Sequence, residues 1–248
     1  MHESPRLIAA GRHLTPPGRD FPRHQHGCWE VVYYVSGRAA CPIGERTYDA
    51  TPGTVLATPP STPHAELTRT GYTNQFLQIE AAADWAVPTV CFDDGAGSIA
   101  RVVDVLVREF ARPGTDAARL LALLLGELEI HLRRAAASGR PTESERIVAE
   151  AERRLQEGFA SGIRVEQVAS DLGVSSSTLR GYFARHRDTG PRDFLRRVRL
   201  QHALGYLRNS TLTLQAIAEL TGYDSVSHLS RHVKAATGAT PGSLRRRA

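Results

Sequence analysis

The 248 residues are 41% hydrophobic and 23% charged, with a formal net charge of +5. That length suffices for two domains that each bury a core, and the composition excludes wholesale disorder. No apolar run approaches the roughly 18 residues of a membrane span. Met1 is not followed by a basic stretch and an apolar one, so a cytoplasmic protein without membrane contact is expected. Cys28, Cys41 and Cys91 are too few and too scattered for a disulfide framework, which points to a reducing compartment. All but one of the 31 basic residues are arginine, the exception being Lys234. Arginine suits bidentate phosphate contacts; codon drift in a high-GC genome would give the same bias.

The charge is unevenly spread. Residues 1–141 hold 14 basic and 15 acidic side chains, residues 142–248 hold 17 and 11, and the stretch 180–247 alone holds 13 and 4. A charge run is usually a solvated face, but this one coincides with the repeated helix–turn–helix spacing described below.

The first third is punctuated by Gly and Pro: Pro16-Pro17-Gly18, Gly37, Pro42, Gly44, Pro52-Gly53, Pro59-Pro60, Pro63 and Gly71. Between them lie short β-prone runs such as 30–35, 53–56 and 75–79, which predict a sandwich or barrel. From Ile99 the spacing becomes helical, with Val102, Val103, Leu106 and Phe110 in one stripe. Residues 112–115, Arg-Pro-Gly-Thr, break the run, and a second helix is predicted from about Asp116 to Arg134. Its leucines exceed what one face needs. They read as core, and the surplus face reads as a dimer contact. Residues 135–141, Ala-Ala-Ala-Ser-Gly-Arg-Pro, form a small-residue linker, and Thr142 with Glu145 then fits a capping box, so a domain boundary is expected near 139–142.

Beyond it everything reads helical. A short helix over 165–172 is followed by Gly173-Val174-Ser175, a turn in which Gly can go left-handed and Ser175 can cap the next helix, 176–187. That is a helix-turn-helix, whose second helix is expected to expose Ser177, Thr178, Arg180 and Arg185. The pattern returns about 49 residues later. A helix over 214–220 meets Thr221-Gly222-Tyr223, Asp224 or Ser225 caps, and a helix to about Ala236 exposes Val226, Ser227, Ser230 and Arg231. A long helix over 194–209 joins the two pairs. The run Ile217-Ala218-x3-Gly222-Tyr223-x5-Leu229-x-Arg231-x2-Lys234-x3-Gly238-x2-Pro241-x3-Arg245, with Arg199-Leu200-x2-Ala203-x3-Leu207 before it, resembles the signature of AraC/XylS-type transcription regulators over about residues 143–247. The resemblance implies that bases are read mainly from Ser177, Arg180 and Gly181, and from Val226, Ser227, Ser230 and Arg231. Gly181 departs from the pattern, since a larger, often basic residue is usual there. Leu229 and Val233 stand where Phe is usual, a change of packing. Physically, Arg180 and Arg231 are the best candidates for guanine, while Arg192, Arg196, Arg197 and Arg245–Arg247 suit phosphates.

Near the start, Gly18-x5-His24-x-His26-x3-Glu30-x6-Gly37 matches the first motif of the cupin superfamily, and Pro52-Gly53 with Pro63-His64 resembles the second. That resemblance implies a small barrel over about 5–90, used as a sensor. At i, i+2 on a strand, His24 and His26 would face the same side. With Glu30 and His64 they would form a three-His, one-carboxylate set suited to a divalent transition metal, or they would contact an effector by hydrogen bonds. Trp29, Tyr33, Tyr48 and Phe76 would line the pocket or fill the core. Cys28, inside the motif, reads as a small buried hydrophobe rather than a sensor thiol.

The expected fold is therefore two-domain α+β. A cupin-like sensor barrel (5–92) and a helical dimerisation or linker region (97–136) precede an AraC-type DNA-binding domain with tandem helix-turn-helix units (142–248). The expected function is a sequence-specific, effector-responsive transcription regulator, not an enzyme. Its partners would be double-stranded operator DNA, a small-molecule effector, a second copy of the chain, and RNA polymerase if it activates. A metal-dependent cupin enzyme with an appended DNA-binding-like domain is the alternative, and a sensor-less nucleoid binder a third.

Overall fold

The computed structural model describes residues 5–245, so Arg246 and Arg247 lie outside the described residues. The chain divides into two compact units, residues 1–141 and 142–248. The first unit opens with nine described strands: β1 (Arg6–Thr15), β2 (Phe21–His24), β3 (Trp29–Gly37), β4 (Ala39–Ile43), β5 (Arg46–Ala50), β6 (Thr54–Thr58), β7 (His64–Glu66), β8 (Tyr72–Glu80) and β9 (Val90–Phe92). They form a five-stranded sheet, β1-β8-β3-β6-β9, and a four-stranded sheet, β2-β7-β4-β5. Every pairing is antiparallel.

Strand period two sorts the central strands into two functions. On β3, Trp29, Val31 and half-buried Tyr33 pack into a core that includes two helices, whereas Val32 and Tyr34 join a second core with residues of the facing sheet. On β8, Leu77 and Ile79 belong to the first core, while Asn74, Phe76 and Gln78 turn to the barrel interior with Glu30 and Val32. Trp29 and Tyr33 are thus helix-facing residues, not pocket lining. Tyr48 packs on the inter-sheet core, and of the four aromatics named as candidates only Phe76 lines the cavity. The left-handed Gly37 at the end of β3 is required sterically: a Cβ there would lie 2.2 Å from the Gly71 carbonyl oxygen.

Helices α1 (Ser98–Ala111) and α2 (Ala117–Ala136) cover the five-stranded sheet. The α1 stripe buries Ile99, Val102, Val103 and Leu106. Its first turn is capped from a distance, because the buried Asp93 carboxylate accepts from the amides of Ile99 (2.8 Å) and Ala100 (2.9 Å). Leu124, Leu125, Leu128 and Leu132 of α2 are buried, but Leu120, Leu123 and Ile130 are left exposed.

The second unit is helical throughout its described residues: α3 (Glu143–Glu157), α4 (Val165–Asp171), α5 (Ser176–His186), α6 (Pro191–Asn209), α7 (Leu214–Leu220), α8 (Val226–Thr237) and α9 (Pro241–Arg245). The capping box is present: the Thr142 hydroxyl accepts from the Glu145 amide, and the Glu145 carboxylate accepts from the Thr142 amide. Helix α6 begins three residues earlier than the apolar spacing suggests, because Pro191 is preorganised for a first helical position and has no amide to leave unpaired. Its N-terminal half enters one core through Leu195, with Leu155, Val168, Leu179 and Phe183. Its C-terminal half enters another through Ala203 and Leu207, with Ile217, Leu229 and Val233.

The turns within the two helix pairs share a conformation but not surroundings. Gly173 and Gly222 both have φ of +70°. A Cβ at Gly173 meets nothing within 4 Å, whereas one at Gly222 would lie 2.4 Å from the Phe159 carbonyl oxygen. Gly173→Ala is therefore expected to cost about 1 kcal/mol, for the left-handed backbone alone. Gly222→Ala should cost roughly 3 kcal/mol, because a backbone clash adds to that strain. Urea unfolding of both variants measures the difference, and equal losses would refute it.

Candidate functional site

The barrel interior holds a cavity of about 230 Å³. At one end, His24 and His64 face each other across the β2–β7 pair, and Glu30 comes from β3. The expectation that strand alternation places His24 and His26 side by side is corrected: β2 ends at His24, and His26 lies in the loop before β3. The loop nonetheless turns its imidazole back, with Nε2 of His24 and His26 3.1 Å apart. His64 Nε2 lies 3.0 Å from Glu30 Oε2 and His26 Nε2 3.3 Å from Glu30 Oε1. One donor atom from each of the four residues lies within 4.8 Å of the others.

The outer nitrogens set the ring orientation. His24 Nδ1 lies 2.9 Å from the Pro22 carbonyl oxygen and His64 Nδ1 2.9 Å from that of Thr62. A carbonyl only accepts, so each Nδ1 carries a proton; His24 then presents Nε2 to the site, and His64 Nε2, which faces the Glu30 carboxylate, carries a proton too and donates to it. Glu30 is buried, which pushes its carboxyl up, but the His64 hydrogen bond and the neighbouring imidazoles outweigh this and hold it below the usual carboxylate range. Burial pulls His64 down, yet the Glu30 carboxylate and the Thr62 carbonyl raise it overall.

The other end of the cavity was not singled out by the sequence. Glu66 sits two residues after His64 on β7 and so shares its face. Its carboxylate accepts from the Tyr34 hydroxyl, the Tyr72 hydroxyl (2.5 Å) and Asn74 Nδ2 (3.1 Å). The i+2 spacing from His64 was the available signal for Glu66, and period two along β8 was the signal for Asn74 and Gln78.

In the second unit, Ser175 caps α5 by accepting from the Thr178 amide (3.0 Å), and Ser225, not Asp224, caps α8 by accepting from the His228 amide (3.1 Å). Ser177, Arg180 and Arg185 on α5 are exposed, as are Ser227 and Arg231 on α8. Three expected exposures are corrected. Thr178 is half-buried, with its hydroxyl 2.7 Å from the capping Ser175 hydroxyl. Val226 packs against the second core, and Ser230 is half-buried beside buried Leu229. Arg185 falls in the last turn of α5, away from the N-terminal half that a groove-lying helix presents to bases. Among the phosphate candidates, Arg192 pairs with Glu166 and Arg196 with Asp193, while Arg245 donates to the Leu212 carbonyl and is structural. Arg180, Arg185 and Arg197 make no ion pair among the described residues.

Residues 11–71 match the model of the cupin domain, and residues 168–247 match that of a helix-turn-helix domain. The chain carries a cupin domain followed by an AraC-type helix-turn-helix domain. Over 75 residues it is 45% identical to the HTH-type transcriptional regulator GlxA of Rhizobium meliloti, covering 30% of this chain and 23% of that protein. A putative AraC-like transcription regulator of Streptomyces antibioticus is 35% identical over 129 residues, 51% of this chain and 43% of the relative. The chain therefore spans less than half the length of these curated relatives. The HTH-type transcriptional activator RhaR of Escherichia coli is 24% identical over 245 residues, 91% of this chain and 87% of the relative. No helix among the described residues is long and apolar enough to cross a membrane.

The three thiols are muted by their surroundings. Burial pushes Cys41 and Cys91 up to about 12, and burial with the Glu30 and Glu80 charges raises Cys28. At pH 8 a disulfide reagent should modify Cys28 slowly and Cys41 and Cys91 not at all until the protein is unfolded. Three rapid modifications of the native protein would contradict these environments.

Proposed function

We propose that the protein is a cytoplasmic transcription regulator. Its helical unit binds duplex operator DNA, and its barrel binds a small-molecule effector. The observation that carries this reading is the arrangement of two serine-capped helices, α5 and α8, fixed to the ends of one helix, α6, within a unit of net positive charge. Each presents an exposed arginine, Arg180 and Arg231, beside exposed serines. Such helices fit major grooves, and two held on one frame reach successive grooves on one face of the duplex, roughly 34 Å apart. Arg185 and Arg197 suit phosphates.

The exposed stripe Leu120, Leu123 and Ile130 at helical spacing on α2 supports a homodimer that buries it against a second copy. An activator would further contact RNA polymerase. For the barrel to control the DNA unit, the effector must bind the DNA-competent and incompetent states with different affinity.

His24, His26, Glu30 and His64 would hold a divalent transition metal. The two imidazoles anchored through Nδ1 to backbone carbonyls, which present Nε2 to the site, and one carboxylate make a donor set of the right type and span once Nε2 of His64 gives up its proton. A metal bound there would supply a Lewis-acid point for an oxygen or nitrogen of the effector. The chain's own part is to orient these donors.

Three outcomes test this reading. Arg231→Ala and Arg180→Ala should each cost about 1–3 kcal/mol of operator affinity and relax specificity at one base pair, measured by gel shift against operator and scrambled duplex. Unchanged binding to both would remove the assignment. With about six phosphate contacts, log affinity should fall with log salt at a slope near −5. Protein purified without chelator or nickel resin should carry about one equivalent of transition metal, reduced about tenfold or more in His26→Ala. Less than about a tenth of an equivalent in the parent would remove the metal from the account.

A further inference from the structure

The His-rich end of the cavity is internally matched, because Glu30 faces His26 and His64. The opposite end is not. Glu66 accepts only from neutral groups, the hydroxyls of Tyr34 and Tyr72 and the amide of Asn74, and makes no ion pair among the described residues. A half-buried carboxylate at neutral pH in contact with no cation is costly unless one completes it, and the nearest such group, His64, feels the Glu66 field without pairing with it. Two of the three donors fall on one oxygen, Oε1, so Oε2, which takes only the Tyr72 hydroxyl, has a lone pair to spare.

A second acceptor adjoins it. Asn74 lines the same cavity and is 3% exposed. The acceptor-only carboxylate forces its Nδ2 towards Glu66, which leaves its Oδ1 with no hydrogen-bond partner among the described residues. An amide flip would not relieve this, since it would set oxygen against oxygen. Phe21 and Phe76 line the same cavity, and an aromatic face favours a cation.

We propose that Glu66 is the counter-ion for an ammonium-bearing effector, with Asn74 Oδ1 as a second acceptor for its N–H donors. This rests on the effector-binding reading of the barrel and names the chemical class of the effector: a small amine whose stem fits about 230 Å³. His64 and Glu66, two residues apart on β7, are separated by roughly 6.5 Å along the strand. An amine held at Glu66 therefore reaches towards the imidazole end, where an oxygen or nitrogen acceptor on the same molecule would be received. The carboxylate excludes anionic analogues from its own end.

The test uses the full chain in calorimetric titrations with three probes of one shape, benzylamine, benzyl alcohol and benzoate, then with 2-phenylethylamine and 1,4-diaminobutane. The expected result is an amine that binds at least about tenfold more tightly than its alcohol, with benzoate weaker still. In Glu66→Gln that preference should shrink about tenfold, since the shape is kept and the charge lost. The probe series on the unaltered protein stands by itself if the variant fails to fold. Benzoate binding as tightly as benzylamine overturns the proposal. So does amine affinity that survives Glu66→Gln, or no amine binding up to about 10 mM. Gel shift in the absence of any probe separates the two levels: specific operator binding without amine binding leaves the regulator reading standing and removes this inference.

Discussion

The second unit depends on a single helix serving two cores. Neither α4–α5 nor α7–α8 is large enough to bury its own apolar face: each has a helix of seven residues and one of eleven or twelve. Each gains a third wall from α6, at Leu195 for the first and at Ala203 and Leu207 for the second. A helix of 19 residues is about 28 Å long, comparable to one turn of duplex DNA. The spacing and relative orientation of α5 and α8 are therefore set by packing on a rigid rod, not by loops. The Phe159 carbonyl strengthens this frame. It accepts from Arg199 Nε of α6 at 3.0 Å and lies so close to Gly222 that no side chain fits there.

The barrel is organised by strand alternation. On β3 and β8, one set of side chains packs against the helices and the other faces the cavity, so the same two strands build the core and the site. Glu30 and His64 are buried at one end, with half-buried His24 and His26 beside them, because each has a partner, and His24 and His64 are aimed by the backbone carbonyls of Pro22 and Thr62. Glu66 is held by two tyrosine hydroxyls and an amide whose strands it also ties together.

Much of this was legible in the sequence, for identifiable reasons. The Thr142 capping box, the glycine turns and the capping serines are local chemistry, and the helices fall where that chemistry puts them. The α1 stripe follows from 3.6-residue spacing. The cupin pattern marked His24, His26, Glu30 and His64, and the structure brings all four together. What was not legible depends on pairing between distant segments. Nothing local says that β2 stops at His24, so the route by which His26 arrives was misjudged. Trp29 and Tyr33 were ambiguous because both faces of β3 are covered, and which face meets the helices is a tertiary fact. Glu66 and Asn74 lie close in sequence but on strands of different sheets, so their contact depends on how the two sheets face each other, which no local pattern records. Val226 and Ser230, expected on the outside of α8, are half-buried because α8 packs a broader face.

The claim on which the rest turns is that α5 and α8 read one duplex together. Selection of duplexes by the full chain from a random pool, followed by sequencing, measures this directly. The account predicts an enriched site with two blocks of base preference centred about 10 base pairs apart, one for each recognition helix. Enrichment of no sequence, or of one block with no constraint at that spacing, would contradict it.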